Sequence, residues 1–258
     1  EPLHHMKTIR YEARDRIAYA ALDRSAARNA IDEDMLADLG STLERAGNDD
    51  VRALVLTGVG DAFCIGLDIG LLRRAFAEPA YFRDVLTRYE ALLLGLEALP
   101  VPVIAAVNGL ARAGGFEMIL AADLAIVADE ARIADHHLEF GIMPGGGATQ
   151  RAPRKLGAQR ARELIYTARW LTGAEAVAAG LALRSVPRAK LDAAVEELCA
   201  QLRTKSRAVL AETKRLIRDG EALPLRAALD LEIDRFMRYL EDEPTARDGF
   251  NAYIEGKK

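Results

Sequence analysis

The stretch that most restricts how this chain can fold runs from Val103 to Asp123. An apolar, β-branched run, Val103–Val107, stops at Asn108-Gly109. After a few small residues, Gly114-Gly115 opens a segment whose apolar residues Phe116, Ile119 and Leu120 recur at helical spacing. A buried strand, a turn and a helix start are therefore expected in close succession. The first N–H groups of a helix have no partner within it, and the macrodipole makes that end electropositive, so a glycine pair there lets a ligand oxygen approach bare amides. Glu117 falls in the first helical turn. Two readings fit: either Gly114 donates to an oxyanion and Glu117 reaches the same ligand, or the glycines only allow close packing while Glu117 faces water.

Around this stretch strands and helices alternate. Ile9–Ala13 and Ile17–Leu22, separated by Arg14-Asp15-Arg16, predict a hairpin. Asp32 is placed to cap a helix carrying Leu36, Leu39, Leu43 and Ala46 on one face. Ala53–Leu56 and Ala62–Cys64 read as strands, 82–99 as a helix closed by Pro100-Val101-Pro102, and Leu124–Ala128 as a further buried strand. A glycine-rich loop, 141–148, precedes a helix over 158–167, and Thr172-Gly-Ala-Glu175 is a capping-box pattern. Leu181–Val186 is the last expected strand. From Lys190 onward only helical stripes appear, at 191–202, 209–217, 225–239 and 250–254. This order predicts an α/β core over 7–189 and a helical region over 190–258, whose apolar faces are expected to be covered by oligomerisation.

Composition excludes several function classes. A net charge of −4 over 258 residues leaves no basic footprint for nucleic acid, and no apolar run is long enough to span a bilayer. No charged-then-apolar leader precedes the first strand, so a cytoplasmic location is expected. Cys64 and Cys199 are too few for a disulfide framework. His4 and His5, within residues 1–6, read as a remnant of an expression tag, which leaves His136 and His137 for chemistry.

Three features compete for a catalytic role. Gly66-Leu67-Asp68 follows a strand and precedes a helix, so the Leu67 N–H joins that of Gly114 as a candidate donor. Asp135-His136-His137-Leu138-Glu139 combines carboxylates with imidazoles, which suits acid–base chemistry near neutral pH, and fits a plain polar loop entry equally well. A metal site is the weaker reading of the two adjacent histidines. Neither glycine cluster carries the Gly-Lys-Ser/Thr of a P-loop or a clean G-x-G-x-x-G, and no G-x-S-x-G elbow is present.

Four segments in order, Asn29-Ala-Ile31, Phe63-Cys-Ile-Gly-Leu-Asp-Ile69, Ala106–Glu117 and Gly141–Arg151, resemble the motifs of the enoyl-CoA hydratase/isomerase (crotonase) superfamily over nearly the whole chain. The resemblance implies a spiral of β-β-α turns with a C-terminal helical trimerisation region, a homotrimer or homohexamer, and an acyl-CoA thioester substrate. Its enolate would be stabilised at the thioester oxygen; no cofactor is implied, coenzyme A entering as part of the substrate. Carried over by position, the oxyanion amides fall on Leu67 and Gly114 and the first catalytic glutamate on Glu117. The second falls on His137, a departure. The lysine that often follows Asp-Ile is Gly70, so contacts to coenzyme A are expected from Arg24, Arg28 or Arg73. Ala30, Gly66, Asp68, Ile69, Gly115 and Pro144, all within or beside the motifs, are the other expected substrate contacts. Arg112 stands where the family is usually apolar; a salt bridge at a subunit contact or recognition of a substrate carboxylate would each explain it. Hydration of a 2-enoyl-CoA is the leading expectation, with isomerisation, C–C or thioester hydrolysis, decarboxylation and a non-catalytic CoA-binding role as its rivals.

Overall fold

A computed structural model describes residues 6–242 together with 246, 250, 251 and 254–256. Most of the expected 1–6 remnant and part of the 250–254 stripe lie outside the described residues. The hairpin forms as expected from β1 (Ile9–Arg14) and β2 (Ile17–Leu22), paired antiparallel with Ile9 opposite Leu22. Asp32 caps α1 (Glu33–Asn48), its carboxylate accepting from the Met35 N–H at 2.9 Å.

From there the chain winds as a spiral. Each turn lays one strand in a large sheet, one in a small sheet, and then returns through helix. The first turn is β3 (Leu54–Gly58), β4 (Ala62–Cys64), α2 (Ile69–Ala77) and α3 (Pro79–Ala98). The second is β5 (Val103–Val107), β6 (Leu110–Arg112) and α4 (Gly114–Ala121). The third is β7 (Leu124–Ala128), β8 (Ile133–Ala134), α5 (Ala148–Leu156), α6 (Ala158–Thr167) and α7 (Gly173–Ala178), before β9 (Arg184–Val186) returns to the large sheet. The large sheet has the order β1-β2-β3-β5-β7-β9, parallel from β2 onward, and the small sheet is β4-β6-β8. One face of the large sheet packs toward the small sheet and helices through residues such as Leu54, Leu56, Val103 and Val107. The other face, with Val55, Ile104 and Ile126, is covered by Leu191, Val195 and Cys199 of α8 (Leu191–Arg203).

The expected α/β class holds, with local corrections. β6 and β8 were not foreseen: at three and two residues they are too short to show a period, and pairing alone defines them. α5 occupies residues expected as a loop and its continuation, because Gly147 at φ +97° starts it and Pro153 sits inside it, both of which read as breakers in sequence. α3 begins at Pro79, three residues early, since proline suits the first helical turn. The last strand is confined to Arg184–Val186 because the chain before it is still closing α7. The Thr172–Glu175 capping box forms with both of its bonds.

After α8 come α9 (Arg207–Glu221) and α10 (Leu225–Asp242). Lys214 ties α9 to the core: its ammonium reaches the carbonyls of Leu96 and Val101 at 2.8 and 3.0 Å and the Asp123 carboxylate at 2.6 Å. α10 packs on α9 and leaves Leu225, Ile233, Phe236 and Met237 at least half exposed.

Helix α4 lies directly on the small sheet, where a Cβ on Gly115 would stand 2.0 Å from the Cys64 carbonyl oxygen. Backbone cannot yield as a side-chain tip can, so Gly115→Ala is expected to destabilise the protein by about 1 to 3 kcal/mol. The expected readout is a lower urea midpoint at unchanged slope; an unchanged midpoint would show that the helix has room to shift.

Candidate active site

Parallel pairing of β4 with β6 sets Cys64 opposite Ala111, so the turns that leave these strands meet. Gly66 holds φ +90°, and a Cβ there would lie 2.9 Å from the Ala113 Cβ and 3.0 Å from the Gly114 nitrogen. Ile31 forms a lone parallel bridge with Leu67: the Ile31 N–H donates to the Gly66 carbonyl and the Asp68 N–H to the Ile31 carbonyl, each at 2.8 Å. In a parallel bridge of this kind the central residue's own N–H points away from the partner. The Leu67 N–H accordingly has no acceptor among the described residues, and neither has the Gly114 N–H at the start of α4. Ala113 enters α4 at φ 49° and ψ −117°, a conformation costly for a residue with a Cβ. Its N–H bonds the carbonyls of Ala134 and Asp135 at 3.2 and 3.0 Å, which holds it there.

Glu117, one turn into α4, is 2% exposed. This overturns the water-facing reading of that carboxylate. Its Oε1 accepts from the N–H groups of Gly146 and Ala148 at 2.9 and 3.2 Å, both supplied by the glycine-rich loop and the start of α5. A Cβ on Gly146 would come within 2.2 Å of Oε2, so glycine lets the loop close over the carboxylate. Burial pushes the Glu117 pKa up to about 7, against the opposing pull of the His137 charge and the two amides.

His137 opens a short 3-10 turn, His137–Phe140, whose approach is bent by His136 at φ 62°. Its Nδ1 lies 3.1 Å from Oδ1 of Asp135, a carboxylate with no solvent exposure. With a proton on Nδ1, that contact leaves Nε2 free for a ligand. Burial alone would lower the imidazole pKa; the hydrogen bond and charge of Asp135, with Glu117 behind, outweigh it and raise the value. Asp135 thus touches both the imidazole and, through its carbonyl, the Ala113 turn. Only its position two residues before His137 hinted at this in sequence. His136 is set apart: its Nδ1 meets the Ala168 carbonyl at 3.0 Å, and its ring packs on Trp170 and Phe140.

Leu67, Gly66, Gly114, Glu117 and His137 are therefore brought together, with Gly115 beneath and the loop after Pro144 above. Arg24 has a holding part: it pairs with Asp32 at 3.0 Å and Asp68 at 3.3 Å and donates to the carbonyl of the buried Ala30. Asp68 in turn caps α2 through the Gly70 N–H at 2.7 Å. Arg28, Ile69 and Arg73 are exposed. Arg112 has no carboxylate partner among the described residues; its Nε lies 3.4 Å from the Ile65 carbonyl and its guanidinium 5.2 Å above the Phe140 ring. Burial, then the charge of Arg28, lowers its pKa. No group of three or more metal-ligating side chains occurs among the described residues, and no described helix is long and apolar enough to cross a membrane.

The fold and site define a class: a β-β-α spiral in which two turns that pack against each other each leave a backbone amide unengaged, with a buried carboxyl and an imidazole on the segments that follow. A sequence profile described as Enoyl-CoA hydratase/isomerase matches residues 12–258, and the chain belongs to that family. The chain is 36% identical over 249 residues to the "Probable enoyl-CoA hydratase" of Rhodobacter capsulatus, covering 96% of this chain and 95% of that one. It is 31% identical to the crotonyl-CoA hydratase of Syntrophomonas wolfei, covering 98% and 96%. The crystal structure of an enoyl-CoA hydratase from Bacillus anthracis superposes with a TM-score of 0.91 at 30% identity, covering 97% of each chain. The crotonase fold expected from the motifs is borne out.

A carboxyl whose pKa rises from 4.5 to about 7 on folding destabilises the protein by a penalty that grows as pH rises from the unfolded value to the folded one, is full above the folded value and is absent below the unfolded one. Glu117→Gln keeps an acceptor for the Gly146 and Ala148 amides without the buried charge. It is expected to be more stable than the parent by roughly 2 to 3 kcal/mol at about pH 8, with the difference gone near pH 4. A gain independent of pH in denaturant titrations would contradict the assignment of that charge to Glu117.

Proposed function

We propose that the protein is an enoyl-CoA hydratase that adds water reversibly across the double bond of a 2-enoyl-CoA thioester. The observation that carries this reading is the pair of unengaged amides, Leu67 and Gly114, beside two proton-transfer groups of different charge type. The amides would receive the thioester oxygen and stabilise the enolate that forms when the β-carbon is attacked. Glu117, ionised, takes a proton from the attacking water; its pKa near 7 places its basicity close to working pH. His137, protonated at Nε2 and held at Nδ1 by Asp135, delivers a proton to the α-carbon as the enolate collapses. One proton is taken and one given, so the sum is addition of water. The names of the relatives support hydration, and the imidazole at the second acid position is compatible with it because Asp135 raises the His137 pKa and so favours the proton-bearing form.

This reading gives the pH dependence a sign. Activity is lost on the acid side as Glu117 takes up a proton, near pH 7, and on the alkaline side as His137 loses one, its pKa raised above the ordinary imidazole value by Asp135. With crotonyl-CoA, mass analysis is expected to show gain of one water. Glu117→Gln should remove most turnover while coenzyme A esters still bind. His137→Ala should lower kcat by about 10²- to 10⁴-fold and abolish the alkaline limb. Products lacking added water, or cleaved at the thioester or a C–C bond, would replace hydration by another reaction of the family. Full activity of His137→Ala at every pH would make the imidazole structural.

The assembly belongs to the same proposal. The apolar residues that α10 leaves exposed are suited to burial against a second and third copy. Sedimentation is expected to give a trimer or hexamer at micromolar concentration, and a clean monomer would contradict it.

A further inference from the structure

Tyr89 lies mid-way along α3, on the inward stripe Val85, Tyr89, Leu93 and Leu96. Its side chain is 1% exposed, and its hydroxyl donates to the Gly114 carbonyl at 2.5 Å. A Cβ on Gly114 would stand 3.1 Å from that hydroxyl, 3.1 Å from Gly66 Cα and 3.2 Å from Ile31 Cδ1. The residue that presents one of the two free amides is thus clasped between the phenol, the neighbouring turn and Ile31. The same ring also meets the loop over Glu117, since a Cβ on Gly146 would come within 2.7 Å of its Cε1.

The physical need for such a clasp follows from the local sequence. Gly114 and Gly115 have no side chains with which to hold their own orientation, and α4 has no side-chain N-cap. A modest rotation about the Gly114 backbone would swing its N–H off target. A donor of this kind works only when it is fixed about 2.7 to 3.1 Å from where the oxyanion will be. An inward helix position that needed bulk alone would be filled by phenylalanine or leucine. A tyrosine there buries a hydroxyl, which is tolerated when the hydroxyl finds a partner. The partner it finds is Gly114. Burial first, then the charge of Glu117, drives the phenol pKa well above its ordinary value, so the group remains a donor throughout the working range.

We propose that Tyr89 is a positioning residue for the reaction: by holding the Gly114 carbonyl, its hydroxyl fixes the direction of the Gly114 amide toward the thioester oxygen. The proposal rests on reading Leu67 and Gly114 as the oxyanion donors. Tyr89 acts through Gly114 and touches no reacting atom.

Tyr89→Phe removes one oxygen and keeps the ring, so the fold, checked by circular dichroism, is retained. In an otherwise native chain, kcat for crotonyl-CoA hydration is expected to fall about tenfold, a part of the 10²- to 10³-fold that loss of a whole donor costs. KM is expected to stay within about twofold. The decisive readout is the infrared carbonyl stretch of crotonyl-CoA bound to the Glu117→Gln protein, in which turnover is blocked. The stretch should lie below that of the free thioester, and the lowering should shrink when Tyr89→Phe is added. An equal lowering in both proteins, with kcat unchanged, overturns the role of Tyr89. Absence of any lowering in the Glu117→Gln protein itself overturns the oxyanion reading, and the proposal with it.

Discussion

The closeness of two backbone turns, Gly66 against Gly114, is the constraint on which the rest of the site depends. Two amides can converge on one oxygen only if the strands that carry them are neighbours and nothing larger than hydrogen stands between the turns. Much of the surrounding sequence serves that approach. Asn29 and Asn108, from different parts of the chain, both donate to the Ala62 carbonyl and so fix the start of β4. Gly115 lets α4 rest on Cys64, and Ala113 accepts an unfavourable backbone conformation at the point where the chain turns into the helix. The groups these turns leave unengaged are main-chain amides, so their placement depends on packing rather than on the identity of a side chain there.

Against this rigid frame the charged groups are placed at a cost. A carboxylate as buried as Glu117 would be neutral in an apolar core, and two amides together with the His137 charge hold it near the point of half-ionisation. Asp135 does the reverse for His137, raising the imidazole pKa despite its burial. Two carboxyl groups and one imidazole thus lie close together, with the Glu117 pKa raised by burial and the His137 pKa raised by Asp135. The stability forgone at Glu117 is local. It is offset by a core in which nearly every residue of β5 and α4 is fully buried.

The helices after β9 have a different physical character from the spiral. α8 completes the core by covering the second face of the large sheet, whereas α9 is tied to the spiral through the cations Lys214, set among carbonyls and Asp123, and Arg207, which donates to the Gly47 carbonyl. No residue of α9 or α10 is buried within the single chain, although both carry apolar side chains along their length. α8 thus belongs to the core by its packing, and the helices with no buried residue begin with α9.

By itself the sequence determined the repeating order of strands and helices, the hairpin, the caps at Asp32 and Thr172, and the strand–turn–helix around Gly114, because each is written in local periodicity and end signals. Its motifs also placed Leu67, Gly114, Glu117 and His137 in one family pattern. What only the tertiary structure decided depends on residues far apart in the chain. β6 and β8 exist through pairing with β4, and α5 forms across glycine and proline that locally argue against it. Local spacing left Glu117 equally able to face water; closure of Gly146 over it made it a buried carboxyl. His136 and His137 are equivalent in composition, and Asp135 on one side with Trp170 on the other separated them. Tyr89 lies unmarked within the helix expected over 82–99, and only the docking of α3 on α4 brought its hydroxyl to Gly114. Hydrogen bonds and burial of this kind are set by three-dimensional neighbours, which periodicity along the chain does not encode.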